Sequence, residues 1–304
     1  MKSALARWHR HWFEPAPLAD LAMARIVVVL ILVVLDHGGR ASWVALAPPG
    51  VFKPIALLET IGLAAQPSTA LVARVASIEN TLLILAGLGV VARPALAGIF
   101  VLQLVQEAWV NSLGKVTHAT VPLLYTIAFL ALAPCDRALS LRARLRGRPV
   151  ASLSPDARWP IELAVVVLVA YYWKAGVSKL LDSGLAWADG ATLQFYLLTN
   201  RMAWGTWLAG FPAACAALSA CSLAFELGSP LAIARPLRWI VLGAGVLFHL
   251  GTWLFLGITF WPLVATYLVC VPWTRLATGL STGLSTGLST GRGVPLDTPP
   301  RARQ

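Results

Sequence analysis

The sequence predicts an all-α fold, a polytopic integral membrane bundle of about eight transmembrane helices, within a range of roughly seven to nine. Three observations predict it. Of the 304 residues 58% are hydrophobic and only 12% charged, whereas a soluble domain carries roughly 25% charged residues. Apolar runs recur along the chain at lengths that suit a bilayer crossing, which takes about 17–25 residues of helix. The basic residues, finally, fall on one side of an alternating topology.

The runs place helices at about 18–35, 71–91, 94–111, 117–133, 160–180, 207–232, 238–257 and 259–273. The first carries Arg25 just inside its start. The second holds Arg74, Glu79 and Asn80, and the third holds Gln103, Glu107 and Asn111, spaced i, i+4, i+8 on one face. The fourth opens with His118, the fifth ends with Lys174 and Lys179, the sixth holds Glu226, and the seventh has His249 mid-span.

Three regions follow: a cytoplasmic N-terminal segment (1–17), a transmembrane domain (18–273) and a tail (274–304). The tail contains TGLSTGLSTGLSTG, a tetrapeptide repeat too rich in Gly and Pro to bury a core, so disorder is expected there. The N-terminus shows no short apolar core with a cleavage site, so the first helix is expected to be retained.

With the N-terminus inside, sixteen of the 24 Lys and Arg fall on the cytoplasmic side. Only Arg40, Lys53, Lys115 and Arg201 lie outside. That is the positive-inside pattern of a multi-pass protein of the plasma (inner) membrane. The net charge of +11 therefore points to the bilayer as partner and not to nucleic acid, because no aromatics interleave the arginine-rich 137–149 stretch. Residues 181–206 are expected outside, at an aromatic interface. Cys135, Cys215, Cys221 and Cys270 show no metal-ligand spacing and read as buried inert thiols. No metal is expected.

Ionisable and polar side chains on several helices require a shared polar interior, although each one alone reads as interhelical glue. On this topology the fourth helix starts, and the fifth ends, on the outer side. His118 and Lys179 then share a depth. His249 lies about 17 Å along its outward-running helix at 1.5 Å per residue. A pocket that opens outward between these helices would gather all three. Lys174 and Lys179 cannot share a face, being about 140° apart. Two readings of Lys179 stay open here: an interfacial lysine paired with Asp182, or a desolvated neutral amine that acts as a base.

Several stretches together resemble one known family. These are WFEPAPLADLAMARIVVVLILVVLD (12–36), LLILAGLGVVARP (82–94), AGVSKLLDSGLAWADG (175–190), FELGSPLAI and LFHLGTWLFLGITFWPLVATYL. Their order and spacing resemble the HTTM (horizontally transferred transmembrane) family, whose founding relative is the vitamin K-dependent γ-glutamyl carboxylase. The resemblance covers about nine tenths of the chain. It implies that Lys179 is the base toward a reduced, vitamin K-like quinone, at an outward-facing site. His118, in THATVPLLY, and His249, in the Phe-His pair, would be the catalytic histidines.

The same resemblance implies that oxygen adds to the deprotonated quinol and that the resulting strong base abstracts a far weaker carbon acid. It leaves Lys174 a structural role, paired with a membrane acid such as Glu226 or Glu107. Two functional expectations stand side by side. One is an enzyme of this chemistry acting on a small peptide or lipid. The other is a non-enzymatic partner in maturation, export or immunity for a secreted peptide. A small transporter is a third reading, against which no paired interrupted helices are seen.

Overall fold

The structure is a computed structural model that describes residues 2–35, 37–48, 50–114, 117–150 and 152–278. Among them the chain is helical almost throughout. Fourteen α-helices follow one another: α1 (Lys2–Phe13), α2 (Leu18–Leu35), α3 (His37–Leu46), α4 (Ala56–Thr60), α5 (Thr69–Leu88), α6 (Ala92–Asn111) and α7 (Val121–Leu132). They continue with α8 (Leu141–Leu145), α9 (Trp159–Ser183), α10 (Ala191–Asn200), α11 (Ala203–Ala209), α12 (Pro212–Gly228), α13 (Arg235–Leu256) and α14 (Trp261–Thr266). One two-residue antiparallel pairing, β1 (Ala16–Pro17) with β2 (Leu153–Ser154), is the only sheet among the described residues.

Four helical stretches are long and apolar enough to cross a membrane: Thr69–Leu88, Pro155–Asp189, Pro212–Ile233 and Arg235–Leu256. Val121–Leu132 and Trp261–Cys270 are apolar but shorter. At 1.5 Å per residue, twelve residues reach about 18 Å, against about 30 Å of hydrocarbon.

Three of the expected helices differ in detail. The run expected as one helix over 207–232 is broken into α11, α12 and a 3-10 segment, Ser229–Ile233. Its hydropathy is continuous, but Phe211 sits at φ −121°, ψ 82°, the extended conformation imposed on a residue before proline. The helix expected to open at His118 starts at Val121, and His118 lies in the turn before it. The last expected helix shortens to α14 and a 3-10 continuation, Tyr267–Cys270, which ends before Pro272. Residues 181–206, expected as an outer segment, contain a 3-10 turn, α10 and the start of α11.

Packing follows from the apolar faces. Val165, Leu168, Val169 and Tyr172 of α9 close on Leu242 of α13 and on Leu263 and Tyr267 at the chain's last apolar segment. A second core joins Val44 and Leu58 to Val72, Val75 and Trp109. Small residues let helices approach. A Cβ at Gly205 would meet the Phe255 carbonyl oxygen at 2.1 Å, which fixes α11 hard against α13.

The first helix is amphipathic. Its Leu5 and Trp8 are exposed, while Glu14, just beyond it, accepts from Arg158 and lies 3.4 Å from Arg235. The hydrogen bond from Arg158 holds the Glu14 carboxyl below the usual carboxylate range. Glu162 accepts from Arg238 at 2.5 Å and from Arg235 at 3.2 Å, so the first turns of α9 and α13 are joined at one end of the bundle.

From Pro272 onward the chain forms a separate unit. Its residues 273–278 are helical, although 274–278 lie within the span expected as tail. The expected disorder of 279–304 falls outside the described residues. The four cysteines are free. Cys135, Cys215 and Cys270 are buried, and burial pushes the Cys135 thiol up to about 12. Cys221 is exposed, which corrects its expected burial: it sits on the face of α12 turned away from the core.

Candidate functional site

Tyr172, Gly176 and Lys179 recur at i, i+4 and i+7 along α9, on a single face that looks onto α12. Gly176 sets the distance between the two helices. A Cβ there would stand 3.0 Å from the Glu226 Cβ and 3.1 Å from Leu227. Helical side chains lean toward the helix N-terminus, so Lys179 reaches back over this gap and its Nζ donates to Glu226 Oε1. The Glu226 side chain is 4% exposed and that of Lys179 20%. The ammonium also sits 5.1 Å from the centroid of the Trp187 ring, a cation–π distance.

This pairing revises the roles expected of the two lysines. Asp182 accepts from Ser178 at 3.0 Å and does not pair with Lys179. Lys174 is exposed. Neither acid expected as its partner is available, because Glu226 holds Lys179 and Glu107 holds Arg40 at 2.8 Å.

His249 lies one helix over. Its Nε2 shares a hydrogen bond of 2.6 Å with the Tyr172 hydroxyl, which also bonds the Tyr267 hydroxyl. Gly245, one turn before His249, makes this possible, since a Cβ there would fall 2.4 Å from the Tyr267 oxygen. The His249 Nδ1 and Glu226 Oε2 are buried and have no hydrogen-bond partner among the described residues. His118 is exposed, and its ring stands 5.7 Å from that of Tyr171, which meets Tyr172 edge-on at 5.5 Å.

His118 thus stands against Tyr171 and His249 against Tyr172, while Lys179 lies two turns further along α9, paired with Glu226. Lys179 lines a cavity of about 480 Å³ between α9, α10, α12 and α13, walled by Trp187, Leu197, Phe225, Phe248 and Thr252. The Phe225 and Phe248 rings, 5.4 Å apart, pack against Tyr172 and His249 respectively. They stand between the cavity and the tyrosine–histidine cluster. Leu218, Cys221 and Leu247 also line the cavity and are exposed, so it opens sideways between α12 and α13.

The expected single polar interior is instead several separate clusters. Glu79 accepts from Gln103 and from Gln106, the latter at 2.6 Å. Arg40 joins Glu107 to Thr117, and Asn111 caps Thr117 at 2.6 Å. Arg74 and Asn80, expected to face inward, are exposed. Apolar packing between the helices separates these groups, and each finds its hydrogen-bond partners locally, although Gln106 Oε1 is buried without one among the described residues. Among the described residues no group of three or more His, Cys, Asp or Glu side chains is arranged to hold a metal ion.

No family model matches the chain, and no curated protein or solved structure is detectably similar to it. The site therefore has to be read from its own chemistry. Tyr172, Tyr267, Glu226 and Trp187 complete it, and their roles were not apparent from the sequence. The i, i+4, i+7 recurrence of Tyr172, Gly176 and Lys179 was the one signal that put Tyr172 on the face of Lys179.

Proposed function

We propose that the chain is a multi-pass membrane enzyme of the HTTM type, with about eight membrane segments, and that Lys179 acts as a base toward a reduced quinone. The observation that carries this reading is a lysine, the one charged residue lining a mostly apolar cavity, paired with a buried carboxylate. The cavity's volume falls in the range of about 300–1,000 Å³ usual for ligand pockets. Leu197, Phe225, Phe248 and Trp187 would hold an apolar ring and side chain, and the sideways opening suits a ligand that arrives through lipid. When bound, a hydroquinone supplies an acidic hydroxyl and, with oxygen, a strong oxygen base.

The residues of the chain then divide the work. Glu226 accepts from Lys179 Nζ, and its carboxylate would supply the counter-charge when the amine takes up the quinol proton, so the protonated lysine would not be a lone buried cation. Trp187 covers the ammonium and narrows its access to water. The Tyr172–Tyr267–His249 cluster holds α9, α13 and the last apolar segment in register behind the cavity wall. His118 lies on the far side of Tyr171, which supports a positioning role in place of direct contact with the ligand.

The test uses purified protein, a reduced naphthoquinone and oxygen, with epoxide read by mass spectrometry. Lys179→Arg is the informative variant. It keeps a cation beside Glu226 but removes an amine that can deprotonate. We expect epoxide from the parent and none from Lys179→Arg. Absence of epoxide from folded parent protein, or equal yields from both, would shift the reading to a non-enzymatic partner in maturation, export or immunity for a secreted peptide.

A further inference from the structure

A second concave site lies away from the lysine pair, where α7 turns into α8. Arg93, Arg137, Arg142, Arg146 and Arg148 line a cavity of about 160 Å³, together with one carboxylate, Asp136. Placing positive charge on one side of a membrane requires only that a loop be rich in arginine; it does not require the arginines to converge. Here they converge on a shaped turn. Asp136 accepts from Arg142 at 2.5 Å, Ser140 donates to the Asp136 carbonyl at 2.6 Å, and the same hydroxyl caps α8 by accepting from Ala143 N at 2.9 Å.

The turn is held from below by a side chain that belongs to the bundle. Arg25 of α2 is 0% exposed and donates to the carbonyls of Cys135 (3.2 Å) and Leu139 (2.6 Å). Leu139 sits at φ +43°, a left-handed conformation that costs a non-glycine residue energy and persists only where its surroundings fix it. Arg93 is fixed as well, donating to the carbonyls of Ala131 and Leu132. Arg146 and Arg148, by contrast, have no side-chain partner among the described residues.

Five guanidinium groups lie around Asp136, and Asp156, 3.8 Å from Arg137, is the one further carboxylate paired with them among the described residues. The excess positive charge repels unless more negative charge is supplied. We infer that this niche is a binding site for a phosphate group, engaged by Arg146 and Arg148 and oriented by Arg93, Arg137 and Arg142. Guanidinium forks match phosphate oxygens in geometry as well as charge. The phosphate has two sources of identical chemistry, the headgroup of an anionic phospholipid and a soluble phosphate.

Purified protein in phosphatidylcholine nanodiscs would be titrated with inorganic pyrophosphate at constant ionic strength. A second arm would replace part of the phosphatidylcholine with phosphatidylglycerol. Binding is followed by calorimetry and by the melting temperature. A saturable response to pyrophosphate assigns a soluble ligand. A rise in melting temperature with phosphatidylglycerol assigns a lipid.

In either arm the double variant Arg146→Gln/Arg148→Gln should weaken the response at least tenfold. Arg144→Gln, on the same loop but outside the niche, should leave it unchanged. Calorimetry reads binding directly even if the double variant melts lower. No response in either arm, or an equal loss in Arg144→Gln, overturns the site.

Discussion

Lys174 and Lys179 stand five residues apart on α9, and the roughly 140° of rotation between them separates their fates. Lys174 is exposed, whereas Lys179 meets Glu226 across the gap that Gly176 leaves. Lys174→Met should change stability by less than about 0.5 kcal/mol, as surface substitutions do. Lys179→Met should cost about 3–5 kcal/mol, because a buried carboxylate is left without its cation. Replacing both members, Lys179→Met with Glu226→Leu, should recover most of that loss, since the stranded charge is gone. Melting curves of the three variants in one detergent decide it. A double variant no more stable than Lys179→Met would mean that Glu226 is held by something other than the lysine.

At the scale of elements, the walls of the apolar cavity depend on helices that touch backbone to backbone. Gly190 begins α10 at φ +88°, and a Cβ there would fall 2.4 Å from the Ala216 nitrogen and 2.7 Å from the Cys215 carbonyl carbon of α12. Backbone cannot yield as a flexible side chain does. Gly190→Ala should therefore destabilise by about 1–3 kcal/mol through overpacking and strain. Gly228→Ala, where no atom lies within 4 Å of the added carbon and the backbone is ordinary, should be close to neutral. Comparable melting temperatures for the two would show that α10 moves freely on α12.

The long helices were legible in the sequence to within a few residues. α5, α6, α9 and α13 are apolar runs bounded by turn residues. The break ahead of Pro212 was not, because hydropathy averages across a single kink. α3, α10 and α11 were also missed: each is too short to stand out from an aromatic, Gly-containing stretch. At the site, Lys179, His249 and Glu226 were each conspicuous as polar residues in apolar helices. Which of them pair was not legible, because a helix interval fixes a face but not the neighbour it meets. The hydroxyls of Tyr172 and Tyr267 were hidden for a related reason: in an apolar run a tyrosine reads as an aromatic ring.

For the whole molecule, charge is concentrated where α9 and α13 begin. Glu14, Arg158, Glu162, Arg235 and Arg238 interlock there, and the proposed topology puts this end in the cytoplasm together with the arginine-rich turn. A cysteine introduced at Leu145, which is 79% exposed, in a background without Cys221, tests that orientation. An impermeant maleimide should label it only after the membrane is opened. Labelling in intact cells would invert the topology and place the lysine cavity's outer end inside.

The clasp at Glu14 also bears on the order in which the protein is made. Its partner Arg158 lies 144 residues further along the chain, and Arg235 lies 221 further. This helix leaves the ribosome well before α9 and α13, yet its anchoring contacts cannot close until those helices have been synthesised and inserted. A segment made before its partners thus settles after them, and until then the exposed Leu5 and Trp8 face is free to rest on the membrane surface.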